Sequence, residues 1–370
     1  MVYPVTAEQA AALLESHQMS VRVECLRGSE SLGTIPFSGG DVTATFTSQI
    51  NREANLVVPV TVTDAGLLNP LTDHIMIFTG IPGIVEVPIF FGRINSAQED
   101  DTGRVRVNCI DQSSDIIKAK FEQPWQAFVG GYIADEMVRM IIDVDGDFSV
   151  DISRAPVLPL PAGTWEEDRG SALDEMASSL NCIWQADRIG GFVVYPNPYT
   201  IGASVTPVFG LEDGPDGNLV SNVETRSREY ISNSVTVIVE RTDNSPPIRV
   251  TVRDSGATSP TRWGGLFGKQ NTVRKFRSPI GPSEAASVAI RILTQSLALS
   301  RSWQITTPHF PLFDPGDVIS VKWRGNISTQ VVESISYPLM AIDNSSLSTR
   351  ELRLQEEIEV IPEVVTEDAS

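Results

Sequence analysis

The sequence has few of the residues that most catalytic and metal sites draw on. Three histidines, His17, His74 and His309, are spread over 370 residues, and no pair has HxH or HxxxH spacing. The usual zinc and general-base patterns are therefore missing. Three cysteines, Cys25, Cys109 and Cys182, make an odd number with no CxxC pair. That argues against a disulfide framework or a zinc cluster and for small core thiols in a reducing compartment. No window approaches 18 uninterrupted apolar residues, so no membrane span is expected. The start, MVYPVTAEQ, has no basic region and no long apolar run, so no secretory leader is expected. Positive charge is also scarce: 28 Lys and Arg against 47 Asp and Glu give a net charge of −19. That opposes simple binding to nucleic acid or to anionic membranes.

Several near-motifs fail on chemistry. There is no GxSxG nucleophile turn. Trp263-Gly-Gly-Leu-Phe-Gly-Lys269 has Trp263 where a phosphate loop needs its first glycine, and Gln270 where it needs a magnesium-binding hydroxyl. Asp143-Val-Asp145-Gly-Asp147 has Phe148 at the glycine position of a calcium loop and Arg154 in place of its last glutamate, so a polar helix exit is the simpler reading. Glu166-Glu167-Asp168 opens a predicted helix, where the helix dipole accounts for acids. No residue set requires a cofactor or a metal, and the chain reads as a non-enzyme.

What is present is shape. The stretch 283–323 reads as helix, strand, tight turn and strand. Ala286, Ala289, Ile290, Leu293 and Leu297 form one helical stripe after Pro282, with Ser283 as the expected N-cap. Trp303, Ile305 and Thr307 alternate with polar residues as in a half-buried strand. In Asp314-Pro315-Gly316-Asp317, proline presets one φ and glycine takes the positive φ of a type II turn. Upstream, Thr6-Ala-Glu-Gln9 is a capping box for a short helix ending near His17. From Val21 to Ile110 the hydrophobic period is two, in six or so runs divided by turn residues, which predicts an antiparallel barrel or sandwich. Residues 111–210 read as an α+β unit, with helices around Met137 and Leu173 and a hairpin from Ile183 to Tyr195. Strands resume at 220–240 and again at 302–354, and the end from 356 to 370 is an acidic tail.

One stretch inverts the local charge. Arg262, Lys269, Arg274, Lys275 and Arg277 lie together without an acid, interleaved with Trp263, Phe267 and Phe276. A loop that docks on an acidic neighbour is the sharper reading of it, a solvated loop the plainer one, and nucleic-acid contact, with only three aromatics for stacking, the least supported. Arg262, Trp263, Lys269, Arg274, Lys275 and Arg277 are thus the candidate partner-interface residues.

The chain also resembles a known family in several stretches, taken in order. These are Arg52 to Val60; Cys109-Ile-Asp111 with Phe121-Glu-Gln-Pro-Trp125; Thr164 to Leu173; Ser259-Pro-Thr-Arg-Trp263-Gly-Gly265; the alanine-rich helix after Pro282; and Pro315-Gly316-Asp317-Val318. Together they resemble the minor tail proteins of siphophages, especially those of actinobacterial hosts, and through them the baseplate or tail-tip hub family. The resemblance implies a mainly β fold with α+β insertions: two tail-tube-like β-barrels plus smaller α/β domains, the hub fold. The implied domains are 1–110, an N-terminal helix and first barrel; 111–210, α+β; 211–242 with 301–355, a discontinuous second barrel; and 243–300, inserted between. It further implies a homotrimer in the virion, assembled in the host bacterial cytoplasm. Such a trimer closes the tail tube, contacts the distal tail protein, the tube and tape measure proteins and a fibre or spike, and opens for genome ejection. DNA would pass without being bound. The family is non-enzymatic unless a hydrolase domain is appended, and no such domain is expected within these 370 residues. A distal tail ring or peripheral arm protein is the first alternative. A carbohydrate-binding tail adhesin using Trp125, Trp165 or Trp263 is the second.

Overall fold

A computed structural model describes residues 4–14, 18–128, 130–160, 162–200, 206–215, 217–240, 246–276, 280–340, 343–352 and 357–364. The chain begins with α1 (Ala7–Leu14), then β1 (Ser20–Arg27), β2 (Glu30–Thr34), β3 (Gly39–Thr45), β4 (Arg52–Pro59), α2 (Thr61–Asp64), β5 (Asp73–Ile81), β6 (Val85–Glu99) and β7 (Arg104–Asp111). The capping box forms as spelled: Thr6 N donates to Gln9 Oε1 at 3.0 Å, and Gln9 N to Thr6 Oγ1 at 3.2 Å. The end expected near His17 lies outside the described residues. The period-two runs are strands, with two differences. β2 was not legible, because its Ser31, Leu32 and Gly33 give no clear alternation. The alternation expected across this region is broken after Pro59 by α2, which buries Val62.

The middle of the chain holds α3 (Ser113–Lys118), β8 (Trp125–Gln126), α4 (Ile133–Ile142), β9 (Val150–Asp151), β10 (Thr164–Trp165), α5 (Arg169–Ser179), β11 (Cys182–Ala186) and β12 (Phe192–Pro196). Met137, Met140, Leu173 and Met176 are buried in one core with Trp184 and Phe192. The predicted hairpin is β11–β12, and its turn is tied by Asp187, whose Oδ1 accepts from Ile189 N and Gly191 N at 2.8 Å each.

The rest is β13 (Phe209–Glu212), β14 (Ser221–Arg226), β15 (Ser234–Val239), β16 (Ile248–Asp254), β17 (Asn271–Phe276), α6 (Pro282–Ala298), β18 (Arg301–Thr307), β19 (Val318–Trp323), β20 (Asn326–Pro338), β21 (Ser345–Glu351) and β22 (Ile358–Val364). Pro282 is N1 of α6 and the cap is Gly281, not Ser283. Proline at N1 loses no helical bond and has its φ preset, so the helix starts two residues earlier than a Ser283 cap would place it. Part of the segment read as an acidic tail is β22, paired antiparallel to β16; residues 365–370 lie outside the described set.

The two β-rich parts, expected as separate barrels, pair into one sheet of 13 strands, and no closed barrel forms among the described residues. The joint is β20. Its first half pairs with β19, and Ser334–Pro338 pairs with Thr45–Asp41 of β3. A bulge between Val332 and Ser334 lets the strand change neighbours. One hydrophobic core accordingly serves both parts, with Val23, Leu56, Ile77 and Val107 packed together with Ile305, Val321, Ile335 and Leu347. A third core, around Val235, Val237, Val252, Val288 and Leu293, lies between α6 and the sheet β17–β15–β16–β22. β15 therefore leaves the large sheet that holds β14, although the sequence grouped the two. Its unbroken Val235, Val237 and Val239 suit a strand covered by α6.

The Asp314 turn closes the junction between the large sheet and the α+β unit. Asp317 N donates to Asp314 O at 3.1 Å, and Gly316 has φ +87°. A Cβ on Gly316 would lie 2.7 Å from the Phe46 ring, so glycine is required on two counts. Asp314 Oδ1 accepts from Arg52 of β4 at 2.5 Å and from Arg188 of the β11–β12 turn at 2.9 Å. Arg188 also donates to Pro311 O at 2.5 Å and to Phe313 O. Burial opposes charge on Asp314, but Arg188 and Arg52 outweigh it and hold the carboxyl below its ordinary range.

Candidate interaction surface

The predicted interface residues fall on two elements. Arg262, Trp263 and Lys269 lie in the connection 255–270, and Arg274 and Lys275 lie on β17; Arg277 is outside the described residues. The sequence reading made the whole stretch a loop. Its second half is a strand because Thr272 to Phe276 run parallel to the valine-rich β15, which leaves β17 at the edge of its sheet.

The connection is held by buried polar groups. Asp254 Oδ2 accepts from Ser259 Oγ and Thr261 Oγ1, each at 2.6 Å. Asn233, fully buried, donates through Nδ2 to Thr261 O at 2.8 Å and to Gly268 O at 2.9 Å, joining the two ends of the loop. Arg253 lies 5.0 Å and Lys269 Nζ 5.8 Å from the Trp263 ring centre. Trp263 is half-buried between the two cations, while Arg262 and Leu266 stand exposed. Lys275 is loosely paired with Glu240, 3.4 Å away.

Arg274 and Lys275 border a cleft of about 1030 Å³. Glu166, Glu167 and Asp168 also line it, and α6 contributes Arg291, Ile292 and Gln295. Asp168 caps α5 by accepting from Ser171 N at 2.8 Å, and it pairs with Lys120 at 2.6 Å. Of the three acids expected to open this helix only Asp168 does so, as its cap; Glu166 and Glu167 precede α5, whose first turn holds no acid. Arg291 is buried. Its Nε donates to Asn181 Oδ1 and its Nη2 to Ser178 Oγ, both at 3.0 Å. These acceptors lie at the C-terminal end of α5, where a cation is favoured. Burial pushes the Arg291 guanidinium down to about 10. The residue ties α6 to α5 across the base of the cleft.

Other sequence candidates have structural surroundings. Trp125 donates to Glu136 at 2.6 Å and stacks on Phe121 at 5.2 Å, with Trp165 opposite it in the two-strand pair β8–β10. Both rings are half-buried, and Trp165 also lines the cleft. Cys25, Cys109 and Cys182 are free and buried, and burial raises all three thiols, Cys182 to about 12. Asp143 pairs with Arg169 at 2.8 Å, and among the described residues no trio of His, Cys, Asp or Glu is placed to hold a metal ion. No described helix is long and apolar enough to cross a membrane.

No family model matches this chain, and no curated protein matches it. Solved structures do. A tail protein from Neisseria meningitidis MC58 is 13% identical with TM-score 0.66, the match covering 90% of this chain and 97% of that one. The 43 kDa tail protein of prophage MuSo2 from Shewanella oneidensis is 12% identical with TM-score 0.64, covering 89% and 98%. The E. coli protein c3393 is a type VI secretion component described as similar in structure to the T4 tail proteins gp27 and gp5. It is 9% identical with TM-score 0.50, covering 92% and 78%. The fold of this chain is that of phage tail proteins.

Proposed function

We propose that this chain is a structural protein of a phage tail tip, the hub that ends the tail tube. The observation that carries this reading is a shared fold over nine-tenths of the chain with two tail proteins of nearly its own length. In the reading, three copies close the tube of a siphophage. They meet the distal tail protein, the tube and tape measure proteins and a fibre or spike. They help to start tail assembly in the host cytoplasm, and they part when the genome leaves. The two tube-like halves are the joined parts of the large sheet, and the units around α5 and α6, each with its own core, are the insertions. The basic group Arg262, Trp263, Lys269, Arg274, Lys275 and Arg277 faces a neighbouring subunit. The role is structural, not enzymatic.

Charge supports the reading. Three copies would carry −57, three times −19. Walls of that sign repel phosphates within a Debye length of about 8 Å and let DNA slide. The test is a reconstruction of the virion tail tip with symmetry left free. Threefold density on the tube axis that fits this chain is the expected result. A sixfold ring or an off-axis position would replace the hub with a distal ring or arm protein.

A further inference from the structure

Among the described residues the sheet β17–β15–β16–β22 ends at β17. The ladder to β15 fixes which backbone groups face out. Ser234 N donates to Gln270 O at 3.0 Å and Glu240 N to Phe276 O at 2.8 Å. In a parallel pair with this register, Thr272, Arg274 and Phe276 turn their N–H and C=O groups inward to β15. Asn271, Val273 and Lys275 turn theirs outward, and no described strand meets them. The opposite edge is less open, because β22 contains Pro362, which has no N–H to offer.

Each end of this edge has a hollow beside it. Near its start lies a pocket of about 440 Å³ lined by Arg228, Tyr230, Phe267, Gln270 and Thr272. Tyr230 is 80% exposed and has φ +64°, a left-handed conformation that a tyrosine adopts at a cost. Near the end of the strand, Arg274 and Lys275, on opposite faces of β17, both border the large cleft. The six residues of β17 span about 20 Å at the usual rise per residue.

We propose that β17 is a docking edge for an extended acidic segment of a partner protein. The segment adds as a further strand, seats an apolar or aromatic side chain in the Tyr230–Phe267 pocket, and sets carboxylates against Arg274 and Lys275. Charge selects the occupant. Two β17 edges brought together would oppose their own cations, so pairing with a second copy is disfavoured. The acids Glu166, Glu167 and Asp168, which line the same cleft, repel those carboxylates and favour their placement beside the cations. This inference rests on the tail-tip reading for the existence of a neighbour, but not for the chemistry of the edge.

The test is fluorescence anisotropy with the full chain and a capped, labelled octapeptide in which pairs of glutamates alternate with pairs of valines, so that both faces of the added strand carry carboxylates. Saturable binding is expected. It should weaken at least tenfold for the same peptide N-methylated at alternate residues, and at least tenfold for Val273→Pro, with Val273→Thr binding as the parent does. Val273→Pro removes an outward N–H only, so its circular dichroism should match the parent. The N-methylated peptide keeps the result interpretable if that variant fails to fold. Equal binding of the N-methylated peptide, or of a lysine–valine peptide, overturns strand addition. A change in oligomeric state of Val273→Pro without loss of peptide binding makes a second copy the occupant and overturns the acidic partner. The titration reads the edge alone and tail-tip reconstruction reads the hub, so either can fail without the other.

Discussion

At the scale of single residues, the strongest claims rest on buried charge. Asp314 neutralises two guanidinium groups, Arg52 and Arg188, that are themselves 2% and 4% exposed. Asp314→Asn keeps the shape and removes the carboxylate charge that the two buried cations share. Urea unfolding should show a loss of about 3–5 kcal/mol. Arg226→Ala, which removes an exposed partner of Glu224, should cost less than about 1 kcal/mol. Similar losses for the two would deny the turn its role as a clamp. A second residue-scale expectation concerns acid. Burial disfavours charge on Asp73, but two bonds from Arg27, at 2.7 and 3.1 Å, and one from Asn69 N at 3.0 Å overcome it, so the carboxyl sits at about 2 rather than 3.8. Its folded value lies below its unfolded one, so its stabilisation is complete above about pH 4 and is lost as pH falls through 2. Asp73→Asn should flatten that part of the acid-unfolding curve, and a mutant curve parallel to the parent's between pH 4 and 2 would contradict the assignment.

At the scale of elements, α6 shows how a correct pattern can still miss its setting. The stripe Ala289, Leu293 and Leu297 is buried as expected, but Ala286 and Ile290 are only half-buried, and Ala285 and Val288 take their place. The helix packs on β15 and β16 and also meets α5, so its covered surface is wider than one stripe. Periodicity reports one apolar face, not how many neighbours press on a helix. β17 makes a related point. Its cations were legible as a group, but not as an edge strand beside a cleft. Neutralising Arg274, Lys275 and Arg277 together should leave the far-ultraviolet spectrum and melting temperature unchanged, because the described cations are exposed. Tail assembly from purified parts should nevertheless fall. Normal assembly with the triple variant would remove the group from any interface.

At the scale of the whole molecule, the joint at β20 decides how the chain unfolds. β3 is paired to β20, and a single core spans both β-rich parts. The two parts should therefore melt together, with amides of β4 and β21 exchanging at one common free energy. A fragment of residues 1–118 would leave the β3 edge and its half of the core uncovered. It should appear unfolded or aggregated by circular dichroism and gel filtration. A well-folded monomeric fragment would show instead that the first half is an independent domain.

The sequence by itself determined the local elements: the capping box at Thr6, the glycine turn at Gly316, the helix after Pro282, the alternating strands and the acidic balance. Each depends on residues a few positions apart, and their chemistry is readable there. Its resemblance to tail proteins also agreed with the fold. Only the tertiary structure decided that the β-rich parts share a sheet, that β15 leaves it for α6, and that Arg52 meets Asp314 across 262 positions. It also decided that Arg274 and Lys275 line one cleft with Glu166 to Asp168. Strand partners and buried ion pairs are chosen by the packing of distant segments, and spacing along the chain carries no record of that choice.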